Sequence, residues 1–174
     1  PHVIITTDEE SGAIGAGKLI SKYHECPFAD MRFMIQLDRR GTDDSVFYDC
    51  DNDEFEKYIN RFGFKTAFGS FSDISVIAPV WKIAAVNFSI GYNDEHSYSE
   101  TLNIPAMCYT IDRVVTILED VVTNSDEIPE FEYIEAPAFW EYWGNGDNMH
   151  GYDYGYGEYL SANAINSVKS ADNS

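Results

Sequence analysis

The chain has 174 residues, of which 44% are hydrophobic and 15% aromatic, so it can form one folded domain with a core. Eleven Lys and Arg residues against 30 Asp and Glu residues give a formal charge of −19. A protein with this charge repels phosphate backbones and anionic lipid headgroups, so the composition argues against nucleic acids and membrane surfaces as partners.

The cysteines and the hydropathy bear on location. Cys26, Cys50 and Cys108 are widely spaced and form no C-x-x-C pair, a pattern typical of free thiols in a reducing compartment. No run approaches the roughly 18 consecutive apolar residues of a membrane helix. We therefore expect a cytoplasmic protein.

The first part of the chain predicts three strands and a helix. Residues 3–6 form a short β-branched run that is typical of a buried strand. Apolar residues then recur at helical spacing over residues 13–23. Residues 31–37 and 45–50 are the next two predicted strands, with a turn between them.

Two helices follow, each with a capping residue. Asn52 caps a helix over residues 53–62, and Gly63 stands just past its end. Ser72 caps a shorter apolar helix, although Pro79 lies inside it and can kink it.

The last regular elements are a strand and a long helix. The strand covers residues 84–90 and stops at Gly91. Asn103 and Pro105 open the helix, since proline is tolerated in a first turn, and the apolar spacing continues to Val121.

Strands that alternate with helices predict an α/β fold, with three layers and a mostly parallel mixed sheet, over residues 1–122. Beyond that point the sequence becomes acidic, and residues 138–160 are dominated by Tyr, Trp, Gly, Asn and Asp. We interpret residues 123–174 as an irregular Tyr/Gly-rich extension that wraps the domain or meets a partner. A low-complexity tail is the alternative.

Acidic residues and a histidine follow three of the predicted strands. Glu9 and Glu10 follow the first strand, Asp38 closes the second, and His96 follows the last. Because ligands bind beyond the carboxyl ends of the strands in an open α/β sheet, we expect these side chains to face one pocket.

The chemistry of these residues is that of a catalytic zinc site. Carboxylates and imidazole bind zinc, and a neighbouring unliganded carboxylate can act as a general base. By local geometry alone, Glu9 can be the base and Glu10 the ligand, or the reverse. Each feature taken singly also fits a surface charge, a turn residue or a histidine that binds nothing, so only their conjunction indicates a site.

Four segments, in order, carry a resemblance to a known family. They are V-I-I-T-T-D-E-E-S-G-A-I-G-A, I-Q-L-D-R-R-G, G-S-F-S-D-I-S with Asp73, and G-Y-N-D-E-H-S-Y-S-E. They resemble, respectively, the general-base segment, a metal-ligand segment, the glycine and aspartate segment, and the final ligand histidine of the co-catalytic zinc exopeptidases. That superfamily contains glutamate carboxypeptidases, tripeptidase and di-zinc aminopeptidases. The resemblance covers residues 1 to about 122.

The resemblance implies a role for each residue. Glu9 matches the catalytic base, Glu10 and His96 match two ligands of one metal ion, and Asp38 matches a ligand of the other. The implied cofactor is Zn²⁺, two ions per complete site, with Co²⁺ or Mn²⁺ as alternatives. The implied reaction is exopeptidase hydrolysis of a small peptide, by metal polarisation of the scissile carbonyl and attack by an activated hydroxide.

The chain departs from the family pattern in one respect. The family also has an H-x-D segment and a bridging aspartate, and none of the four histidines of this chain begins an H-x-D segment. The ligands present are therefore fewer than the roughly three that a catalytic zinc ion needs. We expect an incomplete sheet and site, completed by a second polypeptide or by the N-terminal half of the domain, and no hydrolysis by the isolated chain.

Two other interpretations stay open. In one, the chain is a non-catalytic structural or binding protein that keeps the peptidase fold and assembles through its aromatic extension. In the other, Glu10, Asp38 and His96 together bind a single metal ion. Arg39 and Arg40 could bind a substrate carboxylate, although their position beside a turn favours exposed arginines instead.

Overall fold

Strands and helices alternate along the chain in the computed structural model, which describes residues 1–95 and 97–136. These residues belong to one compact unit, Pro1–Ala136. The strands are β1 (Met34–Arg40), β2 (Asp44–Val46), β3 (Lys65–Thr66), β4 (Ala85–Asn93) and β5 (Thr101–Leu102). The helices are α1 (Ile14–Lys22), α2 (Asp53–Asn60), α3 (Asp73–Trp81) and α4 (Ile104–Thr123), and a 3₁₀ turn, Glu9–Ser11, precedes α1. Every helix in this part of the chain is too short or too polar to cross a membrane.

The sheet is built around β4. Its strand order is β1-β4-β2-β3, and β5 also pairs with β4. β1 runs parallel to β4 and β3 runs parallel to β2, whereas β2 and β5 run antiparallel to β4. The predicted α/β fold with a mixed sheet is confirmed, and its described pairings divide equally between parallel and antiparallel.

Side chains that alternate along β4 contribute to two hydrophobic cores, one on each face of the sheet. Val86 and Phe88 pack with side chains of α2 and α4, including the fully buried Ile117. Ala85 points to the opposite face and packs with α1 and α3, including Trp81. Burying an aliphatic or phenylalanine side chain completely contributes about 1.5–3 kcal/mol. The sheet therefore lies between two helical layers, as predicted.

Three helices begin where their capping residues predict. The first helix does not, because α1 begins after Ala13 rather than after the expected cap, Ser11. Asn52 Oδ1 accepts a hydrogen bond from the Phe55 N–H at 3.0 Å, and α2 starts at the next residue. Asn103 Oδ1 accepts from the Ala106 N–H at 3.1 Å at the start of α4. The helix after Ser72 also starts as predicted. These contacts are local, which is why the sequence alone identifies them.

The first predicted strand is wrong. Residues 3–6 form no strand, and Val3 and Ile5 are 81% and 89% exposed. Among the described residues, no backbone hydrogen bond involves residues 2–6. Exposed and partly buried side chains still alternate along this segment, because Ile4 packs on the core beside α1 and α3. The segment has the pattern of a half-buried strand without a neighbouring strand to pair with.

Other strand ends also differ from the prediction. The strand predicted over residues 31–37 begins at Met34, and the one predicted over residues 45–50 ends at Val46. β1 continues through Asp38 to Arg40, so Asp38 lies inside a strand rather than at its end. β4 continues through Gly91 to Asn93, because β5 pairs with its last residues. Strand ends depend on the neighbouring strands, which a single sequence does not reveal.

The chain beyond α4 packs on the domain as far as residue 136. Ile128 and Phe131 are buried in the core formed with α2 and α4. Arg32 Nη1 donates to the Ile128 carbonyl at 2.8 Å, and the Ala84 N–H donates to the Phe131 carbonyl at 2.8 Å. The compact unit therefore extends past residue 122, where we expected the domain to end. The remainder of the predicted Tyr/Gly-rich extension, residues 137–174, lies outside the described residues.

Asp120 joins α4 to α2. Its carboxylate accepts hydrogen bonds from the Tyr58 hydroxyl at 3.0 Å, from Asn124 Nδ2 at 2.8 Å and from Arg61. Burial favours a higher pKa for Asp120, but the hydrogen bonds from Asn124 and Tyr58 and the charge of Arg61 outweigh it and lower that pKa. Burial and the neighbouring carboxylate raise the pKa of Tyr58 to about 12. The ionised carboxylate therefore stabilises the contact between the two helices.

The Asp120→Asn variant should have a lower free energy of unfolding at pH 7, by about 1–2 kcal/mol. The substitution replaces one of the two carboxylate oxygens, which accept hydrogen bonds, by an NH₂ group, which can only donate. The pKa of Asp120 is lower in the folded chain than in the unfolded chain. The carboxylate therefore stabilises the fold at pH values above its pKa in the unfolded chain, which is about 3.9. This contribution is lost as the pH falls through the folded pKa. Urea denaturation between pH 7 and pH 2.5 should show the two proteins converging. The Asp112→Asn variant, at an exposed position of α4, is the control, and a constant difference at all pH values would contradict the prediction.

Candidate functional site

The turn that carries Glu9 and Glu10 has an unusual backbone. Asp8 and Ala13 have φ angles of 58° and 52°, and Gly12 has a φ of 93°. Left-handed backbone at a residue with a side chain costs roughly 1–3 kcal/mol, and such strain concentrates at functional sites. Glu9 is half-buried and Glu10 is exposed.

Backbone hydrogen bonds hold this turn against α1. The Glu9 carbonyl accepts from the N–H groups of Gly12 at 2.9 Å and Ala13 at 2.8 Å, and the Thr7 carbonyl accepts from the Gly15 N–H at 3.0 Å. A Cβ atom at Gly15 would lie 2.5 Å from Thr7 O and 2.6 Å from Thr7 N. Only glycine fits there, so the close approach fixes the turn on the helix.

A chain of hydrogen bonds connects this segment to Asp38 in β1. Thr6 Oγ1 donates to Asp73 Oδ2 at the start of α3. The next residue of that helix, Ile74, donates its N–H to Gln36 Oε1 at 3.2 Å, and Gln36 Nε2 is 3.4 Å from Asp38 Oδ2. The structure thus brings the segment before Glu9, the N-terminus of α3 and Asp38 to the same side of the domain.

Asp73 is buried at this junction. Its side chain is 5% exposed, and its Oδ1 atom has no hydrogen-bond partner among the described residues. Asp73 therefore belongs structurally with the segment that carries Glu9, as its place in the sequence motif suggested.

Asp38 lies at an irregularity of β1. The register pairs Leu37 with Phe88 and Arg39 with Ser89, so Asp38 is an extra residue on β1. Its backbone bonds instead to the side chain of Asn87: the Asp38 N–H donates to Asn87 Oδ1 at 3.0 Å, and Asn87 Nδ2 donates to the Asp38 carbonyl at 3.2 Å. Bulges of this kind change the direction of a side chain.

The end of β4 and the loop after it lie beside Asp38. Arg40 Nη1 donates to Glu95 Oε1 at 3.0 Å, which ties the loop to β1. Burial, and then the negative charges of Asp38 and Glu100, raise the pKa of the Tyr92 hydroxyl. His96 itself lies outside the described residues, so its predicted approach to Glu10 stays a prediction.

The two arginines after Asp38 differ in their surroundings. Arg39 donates to Asp44 Oδ2 at 3.3 Å and to the Phe68 carbonyl at 3.0 Å, and its side chain is 18% exposed. Arg40 is 66% exposed and pairs with Glu95. The Arg40 side chain is thus exposed, as expected, whereas the Arg39 side chain is mostly buried.

The described residues include side chains of the types that bind zinc, but too few of them lie together to hold an ion. Glu10 and Asp38 offer carboxylate oxygens, which are suitable zinc ligands. Within residues 1–95 and 97–136, however, no group of three or more His, Cys, Asp or Glu side chains could hold a metal ion. A complete zinc site would therefore need donors beyond the described residues.

Comparisons of the chain with protein-family models, curated proteins and solved structures found no match. The resemblance to co-catalytic zinc exopeptidases therefore rests on the four quoted segments.

Sequence reasoning missed the polar residues that connect the site, above all Gln36 and Asn87. The signal for Asn87 was present, because asparagine interrupts the apolar run A-A-V-N-F-S-I. A polar side chain in a buried strand must find hydrogen-bond partners, so it indicates a specific contact.

The Gly15→Ala variant should be less stable than the wild type by about 1–3 kcal/mol, since its methyl group would collide with the backbone of Thr7. Gly17, in the same helix, has nothing within 4 Å of its would-be Cβ. Gly17→Ala should therefore raise stability by about 0.5–1 kcal/mol through helix propensity. Denaturant unfolding of the two variants checks the prediction, and equal effects would show that the turn does not need the close approach.

Proposed function

We propose that this chain supplies the general base and part of the metal-ligand set of a co-catalytic zinc exopeptidase site. The observation that carries the proposal is the hydrogen-bond chain from Thr6 through Asp73 and Gln36 to Asp38. It connects two segments that the sequence assigns to one site and that are about thirty residues apart.

In the proposed reaction, Glu9, Glu10 and Asp38 have separate roles. Glu9 is the base, since it is half-buried on a strained turn whose carbonyl is fixed by two N–H groups. Glu10, the more exposed neighbour, is a ligand, and Asp38 is a ligand of the second ion. When bound, Zn²⁺ supplies a Lewis acid for the scissile carbonyl and lowers the pKa of the attacking water. Glu9 accepts the proton and passes it to the leaving amine.

A second polypeptide segment with an H-x-D motif completes the site in this proposal. Supporting it are residues 2–6, which expose Val3 and Ile5 and, among the described residues, make no backbone hydrogen bonds. A segment that makes no backbone hydrogen bonds can pair with a strand of another segment. The completing segment would add ligands and a strand together, and small peptides would be the substrates.

The assembly that contains this chain, isolated from its source cells under non-denaturing conditions, should hold two zinc ions and hydrolyse di- or tripeptides. Glu9→Gln should lower kcat by about 10²–10⁴-fold without loss of metal, because it removes a proton acceptor and not a ligand. Native mass spectrometry with elemental analysis, followed by peptide hydrolysis assays, checks both expectations.

The matched control is Glu119→Gln, an exposed glutamate on α4, which should change neither activity nor metal content. Full activity in Glu9→Gln would contradict the assignment of the base. An assembly without metal and without hydrolysis would instead favour the non-catalytic binding protein.

A further inference from the structure

Asn87 is a buried amide at the centre of the sheet. It lies in β4, the strand that pairs with three others, and its side chain is 1% exposed. Burying an amide without hydrogen bonds costs on the order of 1–3 kcal/mol. Its neighbours in the strand, Val86 and Phe88, are fully buried hydrophobic residues. The Asn87 amide therefore makes buried hydrogen bonds that an aliphatic side chain could not make.

The amide of Asn87 binds both backbone groups of Asp38. Its Oδ1 accepts from the Asp38 N–H at 3.0 Å, and its Nδ2 donates to the Asp38 carbonyl at 3.2 Å. The bulge removes Asp38 from the register between β1 and β4, so the Asn87 side chain takes the place of a strand partner for these two groups. A carboxamide offers a donor and an acceptor side by side, which a carboxylate or a hydroxyl of similar size does not.

Further contacts fix the orientation of the amide. One Nδ2 hydrogen bonds to the Asp38 carbonyl, and the other is within reach of the Tyr48 hydroxyl at 3.0 Å and of Ser72 Oγ at 3.4 Å. The Asp38 N–H can only donate, so Oδ1 must face it. The amide is thus held from three sides, by β1, by the chain after β2 and by the residue before α3.

We infer that Asn87 is a positioning residue that holds the bulge in β1 and thereby aims the Asp38 carboxylate at the metal site. The inference rests on the proposed function for the role of Asp38 as a ligand. The contact between Asn87 and the Asp38 backbone does not depend on that role. Partners that orient metal ligands typically change metal affinity by 10–100-fold when they are removed.

The first test measures amide hydrogen exchange in the full-length chain by NMR. In Asn87→Ala, the Asp38 amide should exchange about tenfold faster or more, relative to the Met34 amide, which bonds to the Ala84 backbone carbonyl at 2.9 Å. Tyr48→Phe is the control, since it removes one acceptor for Nδ2 but keeps both bonds to Asp38. It should leave the ratio of the two exchange rates unchanged.

The second test measures, by calorimetric titration, the Zn²⁺ affinity of the metal-free assembly that contains each of these chains. Asn87→Ala should weaken binding by about tenfold or more. In the Asp38→Asn background the same substitution should have no further effect, because Asn87 acts through Asp38. A merely structural role would lower affinity equally in both backgrounds, and that result would overturn the inference.

The two readouts separate this inference from the proposed function. If the wild-type assembly binds no Zn²⁺ but the Asp38 amide loses protection selectively, the proposed function fails, whereas the contact of Asn87 with the bulge is supported. If the Asp38 amide exchanges no faster than the Met34 amide in Asn87→Ala, the inference fails. Should Asn87→Ala not fold, Asn87→Thr, which is close to asparagine in size, replaces it in both tests with the same expected direction.

Discussion

The burial of β4 between two helical layers is the constraint on which the rest of the structure depends. A strand with no exposed face must satisfy all its polar groups inside the protein. Ser89 illustrates this, because its Oγ donates to the Arg40 carbonyl at 2.6 Å and accepts from the Asp44 N–H at 3.3 Å. Its own carbonyl accepts from Thr110 of α4 at 2.8 Å. The polar atoms of β4 thus connect both neighbouring strands and a helix.

This constraint divides the domain into an apolar and a polar end. The first residues of β4 are small or hydrophobic and contribute to the two cores, whereas Asn87 and Ser89 bind backbone groups of β1 and β2. The polar end is also where Asp38 and the Glu9 turn are found. Irregular backbone is tolerated there because buried side chains replace the missing hydrogen bonds between strands. Asp38, a candidate site residue, is therefore attached to the buried core of the domain through Asn87.

Local signals in the sequence were sufficient for the helices. Asn52 and Asn103 cap helices through contacts only three residues away, so a window of a few residues contains the information. The strands were different. Residues 3–6 have a strand pattern but no partner, and Asp38 falls inside β1 because a distant asparagine supports the bulge. Such contacts join residues about fifty positions apart, which no local pattern records. The candidate site could be predicted as a set of residue types, but not the polar network that holds it.

In the proposed site, the carboxylates of Glu9, Glu10 and Asp38 would repel one another. The chain already has a formal charge of −19, and two like charges 4 Å apart repel by about 1 kcal/mol even in water. Stability alone would not favour bringing Glu9, Glu10 and Asp38 to one region. The arginines that follow Asp38 form ion pairs with other carboxylates, Arg39 with Asp44 and Arg40 with Glu95. A divalent cation reverses the sign of this interaction, because each carboxylate that repels its neighbours attracts the ion. In the proposed function, this attraction would offset the repulsion between the carboxylates that bind the ion.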